Sequence, residues 1–210
     1  MVRVGASPAA APKWRAQATL VGVAVVALTG CTTTVTGVAV PPSAPSGPSA
    51  PSLAPRTRDV SVQGVNPCEL LTSQQLDQLK ENGAPRPVSP DAQRDGPTCA
   101  FDVDATPPTY TYYLEAIATA DIEDWVSGAH RKAAMVQRPV DVPGFPALVS
   151  YVPAQGGIQD CETLVGVAEG QTLRAQVAPD DASFSQDQLC EMSTNLAKVA
   201  AQTLLAGAPK

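Results

Sequence analysis

CETLVGVAEGQTLRAQVA, residues 161–178, decides the fold class. Leu164, Val165 and Val167 precede a turn at Glu169-Gly170-Gln171, and Leu173, Ala175 and Val177 follow it. Two apolar runs of strand length joined by a short glycine turn predict a β-hairpin. A hairpin implies an antiparallel sheet, and the alternation after the turn gives that sheet an apolar face. The next segment supplies the element to cover it. Ser185 with Gln188 is a capping-box pattern, and Leu189, Met192, Leu196, Val199 and Leu204 follow at the spacing of one helix face. That helix is predicted to pack on a core and to end at Gly207.

Reading upstream adds the other elements. TCAFDVD (98–104) alternates Phe101 and Val103 and predicts a strand, and TYTYYLEAIAT (109–119) predicts a longer one. Further strands are predicted around 135–140 and 147–152, separated by DVPGFP (141–146), a turn by composition. NPCELLTSQQLDQL (66–79) opens the domain. Thr72 with Gln75 forms a second capping box, and Leu71 and Leu76 form a hydrophobic staple. This helix is expected to reach about Lys80 and stop at Asn82-Gly83. Asp121 is expected to cap a short helix carrying Ile122, Trp125, Val126 and Ala129. The expected fold is α+β: an antiparallel sheet of about six strands packed against terminal helices.

The first 65 residues have a different character. Arg3, Lys13 and Arg15 precede an apolar run from Ala18 to Leu28 that only Thr19 interrupts. The run is too short to span roughly 30 Å of hydrocarbon but suits a secretory signal. It ends in Leu28-Thr29-Gly30-Cys31, which is similar to the bacterial lipobox. That order suits the chemistry: a thiol to be alkylated by a diacylglycerol, with small residues before it for a peptidase cleft. Cys31 is the expected lipidation site, and its acyl chains, palmitate among them, would give stable anchoring. PPSAPSGPSAPSLAP (41–55) has six prolines and no charge. Such a segment favours extended polyproline geometry and could reach roughly 45 Å. The organisation expected is a lipoprotein signal peptide over 1–30, a lipidated cysteine and disordered Pro/Ser/Ala-rich tether over 31–65, and one extracytoplasmic domain over 66–207.

Export places Cys68, Cys99, Cys161 and Cys190 in an oxidising compartment, where disulfides persist. Three pairings are possible. Cys68–Cys99 and Cys161–Cys190 are favoured, because each would tie a helix to a neighbouring strand. No Cys-x-x-Cys is present, and neither the cysteine spacings nor a single histidine suits zinc, so no metal site and no cofactor is expected.

The whole chain carries a formal charge of −6. Without the first 30 residues it has 11 Lys and Arg against 20 Asp and Glu, a net −9. An acidic chain with no basic patch is not expected to bind nucleic acid. The single histidine, His130, sits beside Arg131 and Lys132, and no Gly-x-Ser-x-Gly elbow accompanies it. It reads as an exposed cation at a helix end. Asp102 and Asp104 share a strand face and read as solvated. Tyr110, Tyr112, Tyr113 and Trp125 concentrate aromatic surface; one face is expected in the core, and the other is a candidate ligand groove.

Together, NPCELLT (66–72), CAF (99–101), DCETLVGVAEGQTL (160–173) and a closing helix with Cys190 in its first turn resemble a known family over residues 66–205. With the lipobox, they resemble actinobacterial envelope lipoproteins of the domain-of-unknown-function 3558 family. The hairpin and last helix are also somewhat similar to the extracytoplasmic sensor domains of mycobacterial receptor kinases. The resemblance implies a membrane-anchored, disulfide-bonded domain on the outer side of the cytoplasmic membrane, and transfers no catalytic residues. The expected function is non-enzymatic binding of an unknown envelope protein, lipid or glycan by a monomer held at the cell membrane by its acyl anchor. The alternatives are a carrier of a lipid or glycolipid envelope component, which needs an apolar cavity between sheet and helices, and a hydrolase using His130 or the Asp102/Asp104 pair.

Overall fold

A computed structural model describes residues 50–89, 94–153 and 159–207. The signal region and the lipobox residues Leu28, Thr29, Gly30 and Cys31 lie outside them.

The centre of the fold is the predicted hairpin, β6 (Cys161–Ala168) and β7 (Gln171–Pro179), turning at Gly170 with φ +67°. Around it run β1 (Arg86–Val88), β2 (Thr98–Val103), β3 (Tyr110–Ile117), β4 (Val136–Pro139) and β5 (Ala147–Tyr151). The seven strands form one antiparallel sheet in the order β1-β2-β3-β7-β6-β5-β4. The count is seven rather than six because Arg86–Val88 pairs with β2 at the sheet edge. Three residues with a central proline give too little alternation to be read as a strand.

The long helix α3 (Gln186–Ala206) starts at the Ser185–Gln188 capping box and ends before Gly207, φ +80°. Its buried face holds Leu189, Leu196 and Leu204, as predicted, and also Ala197, Ala200 and Ala201. The alanines bring the helix axis close to β6 and β7; Met192 and Val199 flank the contact half-buried. Helix α1 (Ser73–Leu79) has the reciprocal Thr72–Gln75 cap. It runs to Leu79, as expected, but the residue that ends it is Lys80, left-handed at φ +61°, rather than Asn82-Gly83. Both disulfides are present as favoured. Cys68–Cys99 ties the short turn Pro67–Glu69 to β2, and Cys161–Cys190 ties β6 to the first turn of α3.

Helices α1 and α3 cover one face. Between them and the sheet lie Phe101, Leu114, Val165, Leu173, Ala175, Val177, Leu189 and Leu196, all without solvent exposure. Among the described residues, the helix on the other face is α2 (Glu123–Val126), which covers one end of it. Ile122 and Trp125 there pack with Ile117, Leu148 and Leu164. Gly166 makes this close, since a Cβ would lie 2.8 Å from the Ile122 side chain. The N-cap of α2 is Ile122, with no side-chain cap bond, rather than the expected Asp121, and the helix ends before Ala129. Asp121, one residue earlier, accepts from Glu123 N–H and from Gly170 N–H in the hairpin turn.

The packed chain begins before residue 66. Thr57 N–H donates to Gly144 O, and Val60 N–H to Val167 O at 2.9 Å. Val62 is buried, with its N–H on Gln171 Oε1, and Leu53 packs beside α2. The stretch 53–65 was expected within the tether because its prolines, charges and scattered valines carry no strand or helix period. It is held instead by single hydrogen bonds and four apolar side chains, Leu53, Val60, Val62 and Val65.

Candidate functional site: a charged cleft on the open sheet face

Side chains on alternate strand positions share a face. On the face opposite α3, the register sets two polar rows across the sheet. Glu115 of β3 stands directly across from Arg174 of β7. In the next row Ser150 faces Glu162, Glu162 faces Gln176, and Gln176 faces Tyr113. These rows begin where α2 stops covering the sheet. They form the floor of a cleft of about 530 Å³, walled by Arg94, Asp95, Trp125, His130, Tyr151 and Asp160.

The floor is ionic and desolvated. Glu115 is fully buried and Arg174 8% exposed, and the Arg174 Nη2 pairs with Glu115 Oε2. Glu115 Oε1 accepts from the Asp95 and Gly96 N–H groups. Gly96 makes this possible, because a Cβ there would overlap the Ala116 carbonyl of β3. Burial pushes the Glu115 carboxyl upward; Arg174, the two backbone donors and Arg94 pull it back. Arg174 Nη1 reaches two further carboxylates at longer range, Asp95 at 3.6 Å and Glu162 at 3.8 Å. Glu162 is raised as well, first by burial, against Arg174, with Asp160 and Glu115 adding to the rise.

The walls have their own contacts. Arg94 lies over the Tyr113 ring at 4.5 Å and donates to Gln176 Oε1 at 3.0 Å. Gln176 in turn donates to Asp160 at 2.6 Å. Trp125 and His130 stack with centroids 4.3 Å apart and planes 12° apart, and His130 Nδ1 is 3.9 Å from Asp95 Oδ2. The Trp125 carbonyl accepts from Gln137 Nε2, which fixes the end of α2 against β4.

The residues singled out in the sequence fall in different places. Tyr112 is buried on the helix face, where Tyr110 meets it edge-on at 5.2 Å, and Tyr110 in turn meets Phe184 edge-on at 5.4 Å. Tyr113 and Trp125 lie on the cleft side, so the four aromatics do not form one groove. His130 is not a free helix-end cation; it is stacked in the cleft wall with its side chain 31% exposed. Asp102 and Asp104 are separately engaged. Asp102 takes two hydrogen bonds from Arg86 and one from Thr111, and Asp104 takes one from Asn82. The Arg86 hydrogen bonds hold Asp102 below the usual carboxyl range. Among the described residues no cluster of ligands suits a metal ion, and no helix is long and apolar enough to cross a membrane.

Sequence reading missed Glu115, Glu162 and Arg174. One signal was available: each is a lone charge inside an otherwise apolar strand run, YLEAI, CETLV and TLRAQ. A second groove of about 350 Å³ lies between β4 and α3, lined by Arg138, Val140, Val149, Glu191, Thr194 and Lys198.

No curated protein matches the chain. Among solved structures, the human StarD13 (DLC2) lipid transfer and protein localization domain is similar, with 11% sequence identity and a TM-score of 0.28. The match covers 66% of this chain and 98% of that one, and at that level it carries no argument about function. The family described as "Protein of unknown function (DUF3558)" matches residues 26–203, and the chain belongs to it.

Proposed function

We propose that this protein is a non-enzymatic lipoprotein of the cell envelope, anchored through Cys31, whose domain binds a partner or ligand in the cleft of the open sheet face. The cleft itself carries the reading. Two conformationally fixed arginines, four carboxylates and an aromatic wall converge on one concave surface. A buried Glu115–Arg174 pair stabilises a fold no better than apolar side chains of the same size. Its place at the base of a concave, polar surface supports the reading of that surface as a binding floor. The helix side, by contrast, is filled with fully buried side chains, which supports this reading over that of an apolar carrier.

The test uses the full chain, purified in detergent from a host that acylates it and incubated with solubilised envelope. Native mass spectrometry should show an adduct that persists on gentle activation and is lost in Arg94→Ala and in Lys132→Ala, Lys132 being an exposed residue of the cleft lining. An adduct that survives both substitutions would place binding elsewhere and overturn the reading. The anchor has its own test: Cys31→Ala should move the protein from the membrane to the soluble fraction, and retention would sink the lipobox assignment.

A further inference from the structure

Resting on the cleft as the binding seat, we infer that His130 and Asp95 form a proton-operated clasp in its wall: charging the imidazole turns a loose contact into an ion pair that ties two segments together. His130 stands on the turn after α2, and Asp95 in the segment that leads into β2. Each is placed by its backbone. His130 N–H donates to Asp124 O at 3.0 Å, and Asp95 N–H donates to the buried Glu115. The two side chains, each 31% exposed, meet with Nδ1 3.9 Å from Oδ2, beyond direct hydrogen bonding. Both ring nitrogens of a charged imidazole donate. A charge-assisted N–H···O bond closes to about 2.8 Å, so a proton gives the two segments roughly 1 Å through which to draw in.

The other contacts of the ring suit a cation. Trp125 lies flat against it, with centroids 4.3 Å apart and planes 12° apart, and an indole face attracts positive charge. Around the cleft, Asp95, Glu115, Asp160 and Glu162 outnumber Arg94, Lys132 and Arg174 by one. Arg94 and Arg174 both face Glu115, and Arg174 Nη1, 3.6 Å from the Asp95 carboxylate, is the competing cation. Within the turn itself, Arg131 is directed back onto the carbonyls of Lys132 and Met135, and Lys132 is exposed at the rim. In α2, the Asp124 carboxylate is engaged by Asp121 N–H. Imidazole is the side chain whose ordinary charge change falls between pH 5 and 8, so the clasp closes as a neutral medium turns mildly acidic.

Trp125 reports the charge, because an imidazolium stacked on indole quenches its fluorescence more than the neutral ring does. With Trp14→Phe it is the sole tryptophan of the full chain. Emission of that chain should fall in a step between pH 8 and 5. His130→Gln should abolish the step, and Asp95→Asn should move its midpoint down by at least roughly half a pH unit. Amide hydrogen exchange reads the clasp itself. At Asp95 and Gly96 it should be about threefold slower at pH 5.5 than at pH 7.5 after correction for intrinsic rates, the same half unit converted, and His130→Gln should lose that gain. Protonation of Glu115, which holds those two N–H groups, would speed exchange instead. A missing step, a step that survives His130→Gln, or a midpoint unmoved in Asp95→Asn would each overturn the clasp. If Asp95→Asn does not fold, equal exchange in the parent and His130→Gln overturns it. No ligand enters these measurements, so the two readings fail separately. A failed clasp with an envelope adduct that still depends on Arg94 and Lys132 leaves the cleft standing. A working clasp with an adduct insensitive to both leaves the device and removes its link to binding.

Discussion

The two faces of this sheet are made from the same strands and behave as different materials. On the α3 face the alternate strand positions are mostly apolar, with Thr163 bonded to Ser193 as an exception, most of the contacting side chains are fully buried, and two disulfides close the layer. On the α2 face, the alternate positions hold Glu115, Glu162, Arg174, Gln176 and Ser150, and a four-residue helix covers one end. Apolar burial contributes about 25 cal/mol per Å² whatever the detailed fit. An ion pair taken out of water gains little net stability and fails badly when one partner is lost. The α3 face therefore holds the fold together, and the α2 face holds charges in fixed places.

That contrast can be broken by experiment. The largest effect should come from reducing both disulfides. Each closes a loop of about 30 residues, worth roughly 3.5 kcal/mol in the chain-entropy model, so the reduced chain should lose most of its stability in urea titrations. Arg174→Met should come next, costing about 3–5 kcal/mol because it strands the buried Glu115. The double variant Glu115→Leu with Arg174→Met should recover most of that loss. If it does not, the ionic floor is itself a stabilising element and the contrast between the faces fails.

A third test uses pH. A carboxyl raised in the folded state binds protons there that the unfolded chain has released, so its contribution falls as pH rises from the ordinary carboxyl value to the raised one. Glu162 and Glu115 both have that sign. Urea midpoints measured across that window should therefore decline less in Glu162→Gln than in the parent. Asp102 has the opposite sign, since Arg86 lowers it, and its contribution is lost as pH falls. The smallest effect belongs to that pair. Arg86 is half exposed, and Arg86→Ala should cost below about 1 kcal/mol. A larger loss would mean that the β1 edge is more than a solvated pair.

The same contrast explains what could be read from the sequence. The α3 face was legible because its signals are local. A capping box, a 3.6-residue period and a Gly-turn hairpin each fit inside twenty residues. The short edge strand Arg86–Val88 and the strap at 53–65 were not, since neither has a period and both are fixed by distant partners. The cleft was the least legible part. Arg94 and Asp95 come from a loop, Glu115 from β3, His130 from beyond α2, Glu162 from β6 and Arg174 from β7. Only the register of β3 on β7 brings Glu115 opposite Arg174. The lone charges in apolar strands marked the residues, but nothing in the chain order marked them as neighbours.

The Cys68–Cys99 bridge has a mechanical consequence. With the N-terminus held at a membrane as proposed, any pull on a bound ligand loads the chain between the tether and the cleft. The first links under tension are those of the strap: Leu53 beside α2, then the single hydrogen bonds of Thr57 to Gly144, Val60 to Val167 and Val62 to Gln171. Once those yield, the load reaches Cys68 and crosses the bridge directly into β2. The segment between the two cysteines, which carries α1 and β1, is then bypassed and bears no traction. The strap can peel as a compliant leader while the sheet that carries the cleft keeps its shape.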